Sequence, residues 1–92
     1  MKKFEIAKIF NNIGDLLEIK GDNPFRIRAY RKAALNLESL TEDVDEIAKR
    51  SELEKIPGIG KDLAQKIEEY ISTGKIEAYE DIKKKIHQVF LH

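Results

Sequence analysis

Five consecutive residues, Ile56-Pro57-Gly58-Ile59-Gly60, constrain this chain more than any other stretch. Proline cannot continue a helix, and it biases the residue before it away from helical dihedrals, so a helix must stop at Ile56. Gly58 and Gly60 permit positive φ and leave backbone N–H groups uncovered. The run Lys61-Asp62-Leu63-Ala64-Gln65-Lys66-Ile67 restarts a helix at once. The uncovered N–H groups of Gly58, Ile59, Gly60 and Lys61 therefore fall at a helix N-terminus, with the positive end of its dipole behind them. Such a place suits an anion, and a phosphate in particular.

The rest of the chain reads as helices by its spacing. Over residues 4–19, Phe4, Ile6, Ala7, Ile9, Phe10, Ile13, Leu16 and Leu17 make one apolar stripe, with Gly21 placed to cap its end. Asn23 as N-cap and Pro24 at the first position open a helix over 24–40, with Phe25, Ala29, Tyr30, Ala33, Ala34 and Leu37 inward. A short helix over 42–49 takes Thr41 as its cap and turns Val44, Ile47 and Ala48 inward. Ser51 and Glu54 have capping-box spacing and start a further helical turn through Leu53 and Ile56. Residues 61–73 form the next helix, with Gly74 at its end. A last one over 76–90 carries Ile76, Tyr79, Ile82, Ile86, Val89 and Phe90. Period-two alternation is absent, so the fold is expected to be all-α, a compact bundle of five or six short helices.

The order apolar-Pro-Gly-apolar-Gly, followed by a helix carrying Leu63, Ala64 and Ile67, resembles the helix-hairpin-helix motif, here spanning about 51–73. Proteins with that motif grip one DNA strand through its phosphates without reading sequence.

The charge balance taken alone opposes that reading, because 17 basic and 17 acidic side chains cancel, whereas nucleic-acid binders are usually basic. The distribution resolves the conflict. Residues 23–34 hold four basic side chains (Arg26, Arg28, Arg31, Lys32) and no acid, while residues 35–54 hold seven acids against Lys49 and Arg50. One face can attract DNA while another repels it. The residues alone leave Arg28, Arg31 and Lys32 open to a second reading as a solvated helix face. The length of 92 residues fits one domain, 1–92, with a small core. The lack of cysteine excludes disulfides and thiolate metal sites. No apolar run is long enough to span a membrane, and no signal peptide opens the chain, so a cytoplasmic monomer is expected.

Three stretches carry a closer resemblance: Asn23-Pro24-Phe25-Arg26-Ile27-Arg28-Ala29-Tyr30-Arg31-Lys32-Ala33-Ala34, then Ile56-Pro57-Gly58-Ile59-Gly60, then Ala64-Gln65-Lys66-Ile67 through Thr73-Gly74-Lys75-Ile76. Together they resemble the amino-terminal domain of family X DNA polymerases, the DNA polymerase beta group, in its bacterial and archaeal form. The resemblance implies binding to gapped or nicked DNA, with the downstream 5′-phosphate held, and in many members removal of a 5′-deoxyribose phosphate through a lysine Schiff base. It places Lys66 at the Schiff-base lysine, Tyr30 beside that site, Arg26 at a phosphate-binding position and Lys32 at a basic one. It also implies a Na⁺ or K⁺ ion held by backbone carbonyls of about Glu54, Ile56 and Ile59. The polymerase carboxylates of the family belong to later domains, so no polymerase activity is expected of these residues, and the remaining polymerase domains are potential partners. Asp62 stands where the beta type has a phosphate-binding lysine, and Phe25 and Ala78 replace polar members of the lyase pocket.

Imine formation needs a neutral amine, whereas a free lysine titrates near ~10.4. Lys66 lies at the edge of its helix's apolar face, so partial burial would help. Asp62 at i−4 and Glu69 at i+3 would favour the ammonium and leave Lys66 as an ion-pair partner. Other chemistry finds little support. His87 and His92 are five apart, not the four that a shared metal on a helix needs. Lys83-Lys84-Lys85 reads as a solvated face, and Tyr30 as either core or a stacking surface. A helical protein-interaction module without DNA binding is the alternative.

Overall fold

A computed structural model describes residues 1–90, with side chains for 1–87. The expectations for the side chains of Val89, Phe90, Leu91 and His92 lie outside the described residues. The elements are α1 (Lys2–Lys20), α2 (Pro24–Glu38), α3 (Val44–Lys49), a single 3₁₀ turn (Leu53–Lys55), α4 (Lys61–Thr73) and α5 (Glu77–Phe90). The fold is all-helical, with no strand among the described residues. None of these helices is long and apolar enough to cross a membrane.

The core is built on α1. Ile6, Phe10, Ile13 and Leu17 recur at spacings of three and four and are all buried. They pack chiefly on α2, whose buried residues are Ile27, Tyr30, Ala33, Ala34 and Leu37. The two alanines let the helices approach. The Phe10 and Tyr30 rings meet edge to face, with centroids 5.5 Å apart. Helix α5 lies on another side of α1, where Asn12 Nδ2 donates to Tyr79 Oη at 3.1 Å. Helix α4 adds Leu63, Ala64 and Ile67 to the same core, and Tyr70 Oη donates to the Glu5 carboxylate of α1 at 2.6 Å. That hydrogen bond holds the Tyr70 phenol above its ordinary titration range.

Local structure departs from the sequence pattern at three places. Phe25 and Ala29 point outward from α2, Phe25 to 74% exposure, and Ile27 is buried in their place. Ile27, Tyr30, Ala34 and Leu37 form one three-four-three stripe, whereas Phe25, Ala29 and Ala33 form its neighbour, of which only Ala33 is buried. The cap of α3 is Asp43 rather than Thr41: its Oδ1 accepts the Asp45 N–H at 3.0 Å, and its charge suits the helix N-terminus.

The third departure is Ser51, which opens no capping box. It ends α3 with φ +57°. Ser51 N–H donates to Ala48 C=O at 2.9 Å and Glu52 N–H to Ile47 C=O at 3.1 Å, the paired bonds of a Schellman close. The first helix of the hairpin is accordingly reduced to the one 3₁₀ turn. Arg50 staples this corner, forking onto the Glu42 carboxylate and donating through Nε to Glu52 at 2.8 Å. The guanidinium holds both carboxyls below their ordinary range.

A serine at left-handed φ is strained where glycine is not. Ser51→Gly is expected to stabilise the fold by about 1 kcal/mol. In a domain of this size that raises the melting temperature by about 4–8 °C in a thermal scan.

Candidate functional site

Ile56 and Ile59 are both buried, and the chain between them turns back on itself. Ile56 takes extended dihedrals, φ −69° and ψ 128°, as a residue before proline must. Ile59 N–H donates to Ile56 C=O at 3.0 Å, and Gly58 has φ +82°. Proline second, glycine third at positive φ and that closing bond make a type II turn. Gly60 then adopts ordinary extended dihedrals, φ −90° and ψ −171°, so its backbone does not demand glycine, contrary to expectation. A Cβ there would meet nothing within 4 Å, and the space in front of α4 stays open.

Asn23 caps α2 and Asp43 caps α3 through side-chain oxygens, whereas Gly60 gives α4 no such cap. Among the described residues, the N–H groups of Gly58, Gly60, Lys61 and Asp62 have no acceptor. Ile59 N–H is already committed to Ile56 and is not an open donor. The hairpin therefore presents main-chain donors at the positive end of a helix dipole.

Helix α2 backs this turn. Asn36 Nδ2 donates to Pro57 C=O at 2.6 Å, and a Cβ on Gly58 would lie 3.4 Å from Lys32 Cγ. Lys32 thus runs alongside the turn. Among the described residues, Arg28, Lys32 and Lys61 have no carboxylate within ion-pair distance. Arg28 lies over the exposed Phe25 ring, 4.8 Å from its centroid. Arg31 differs from its neighbours. It turns back to α1 and pairs with Asp15 and Glu18, each at 3.0 Å, and Glu18 foremost holds its guanidinium above the ordinary range.

Tyr30 is 2% exposed and belongs to the core, with its hydroxyl buried and unpaired among the described residues. It forms one wall of a cavity of about 240 Å³ that Lys20, Arg26, Ala78, Asp81 and Lys85 also line. Arg26 lies 3.5 Å from Asp22. Three helices thus bring three cations to one opening. The sequence marked Arg26 and Tyr30 for this site but not Lys20, and it read Lys85 only as part of a solvated lysine face.

Lys66 is not among the residues lining that cavity. Its side chain is 16% exposed, and its Nζ lies 2.8 Å from Oδ1 of Asp62, which is 75% exposed. Glu69, the second expected partner, is occupied elsewhere: its carboxylate accepts the Glu77 N–H at 2.9 Å and caps α5.

The helix-hairpin-helix domain model matches residues 1–76 of the chain. The chain is also 36% identical, over 86 residues and 94% of its length, to the DNA polymerase/3′-5′ exonuclease PolX of Bacillus subtilis (strain 168). It spans 15% of the length of that relative.

Gly58→Ala places a side chain at positive φ, with its Cβ 3.1 Å from Asn36 Nδ2. The variant is expected to lose about 1–2 kcal/mol of stability in urea unfolding, whereas Gly60→Ala should stay within about 0.5 kcal/mol of wild type.

Proposed function

Because the chain belongs to the helix-hairpin-helix domain family, we propose that it grips the sugar-phosphate backbone of gapped or nicked DNA. The observation that carries this reading is the uncapped start of α4, where four main-chain N–H groups face outward beside Lys32 and Lys61. Main-chain donors and point charges hold phosphates of any sequence. The similarity to a DNA polymerase supports the same class of ligand. The cavity lined by Tyr30, Arg26, Lys20 and Lys85 would receive the 5′-phosphate at the edge of the gap, and Arg28 would add attraction nearby. Arg31, tied to Asp15 and Glu18, would contribute less than its neighbours.

The hairpin carbonyls suit a hard monovalent cation. Glu54 C=O lacks the donor that a continuing 3₁₀ helix would supply, because Pro57 has no N–H. Ile56 C=O accepts one bond, from Ile59, and keeps a second lone pair. Glu54, Ile56 and Ile59 would hold Na⁺ or K⁺, which would add positive charge facing a phosphate oxygen.

A second reading adds chemistry at Lys66, whose low exposure favours it. The neutral amine would add to the sugar aldehyde and lose water, and loss of a C2′ proton would then expel the 3′-oxygen. Asp62 works against this by engaging the Lys66 amine at 2.8 Å, and the absence of Lys66 from the lining of the Tyr30 cavity does so as well. Binding without fast elimination is therefore the reading we adopt.

Binding to gapped DNA with a 5′-phosphate should weaken steeply with salt, with a log–log slope of roughly −0.9 per phosphate contacted. Lys32→Gln and Lys61→Gln should each reduce that slope by about 1. No association with the same DNA at low salt would return the chain to a protein-interaction role. Borohydride trapping on 5′-deoxyribose phosphate, with Lys66→Ala as control, reads the lyase step separately. A strong adduct that vanishes in the control would overturn binding alone.

A further inference from the structure

We infer that Asn36 is a positioning residue for the hairpin's grip, one that selects the turn conformation in which Gly58 N–H faces a phosphate. The inference rests on the DNA-backbone reading above. Asn36 is half-buried in the last turn of α2, four residues after Lys32. Asparagine is a weak helix former, because its side chain competes for backbone partners. Here the side chain leaves its own helix and donates to Pro57 C=O at 2.6 Å.

The peptide it holds is the central one of the turn. Type I and type II turns share their ends and their closing bond, and differ by a flip of that peptide. Pro57 is compatible with either. In a trans peptide the C=O and N–H point in opposite directions, and no cis bond occurs among the described residues. Drawing Pro57 oxygen toward α2 therefore turns Gly58 N–H away from α2, where it meets no acceptor among the described residues. A flip to type I would point that N–H back at the helix and bring Gly58 to negative φ. The amide of Asn36 opposes the flip. Lys32 completes the arrangement, since its stem passes the same glycine.

The test compares wild type, Asn36→Leu and Lys32→Met on gapped DNA bearing a 5′-phosphate, with amide NMR and thermal melting on each protein. Leucine nearly matches asparagine in shape and cannot donate. Asn36→Leu is expected to melt within a few degrees of wild type and to bind DNA about tenfold more weakly, the scale of one hydrogen bond to a charged group. Its Gly58 amide resonance should move in the free protein and should no longer respond to DNA, while the Lys61 amide still does. Lys32→Met should instead lower the salt slope and leave the Gly58 response intact.

Equal affinity and an unchanged Gly58 amide in Asn36→Leu would overturn the inference, as would weaker binding with that amide still responding. Wild type that fails to bind DNA overturns the DNA reading itself, and the positioning role with it. Should leucine disturb folding, Asn36→Asp takes its place, being polar and equally unable to donate.

Discussion

Ile56 and Ile59 lie three residues apart and are both sunk in the core, while Pro57 and Gly58 between them are exposed. Each anchor is worth roughly 1.5–3 kcal/mol of burial. A chain that enters the core twice within one turn must push the intervening peptide groups outward. Pro57 sets the first dihedral of the turn and Gly58 accepts the second. Helix α4 begins as the turn ends, so Leu63, Ala64 and Ile67 join the same core as the isoleucines. The polar face of the hairpin is thus a by-product of its apolar one.

The bundle was legible because its long helices carry strong three-four spacing. Asn23, Pro24 and Gly74 marked boundaries that the structure keeps. What failed was choice between adjacent faces: α2 carries two apolar stripes, and only packing against α1 decides that Ile27 goes in and Phe25 stays out. Ser51 misled for a related reason. Serine is a common N-cap, and nothing local shows that the preceding helix will claim it for a left-handed close. In the hairpin, sequence located the open amides of Gly58, Gly60 and Lys61, wrongly counted that of Ile59, and missed both Asp62 and the support behind them. Asn36 lies 21 residues from Pro57, and nothing local to the last turn of α2 points to so distant a partner. The cavity at Tyr30 was half visible, since Lys20 and Lys85 reach it from helices distant in sequence.

Zero net charge conceals a division of labour. Arg50 is tied to Glu42 and Glu52, and Arg31 to Asp15 and Glu18, so each of these guanidiniums is answered by two carboxylates of the protein itself. Asp62 does the same for Lys66. Arg28, Lys32 and Lys61 stand apart from these pairs. Counting charges along the chain weights every lysine and arginine equally, whereas geometry separates those already answered from those that are not.

The open amides of Gly58, Gly60, Lys61 and Asp62 belong to the main chain, which every amino acid except proline supplies. Residues that contribute only an amide can drift in identity without touching the donors, provided the path of the backbone survives. Heredity then acts on the residues that bend or brace that path, and much less on those that appear to meet the ligand. Two descendants of such a hairpin could share few side chains at the contact and still hold a strand in the same way.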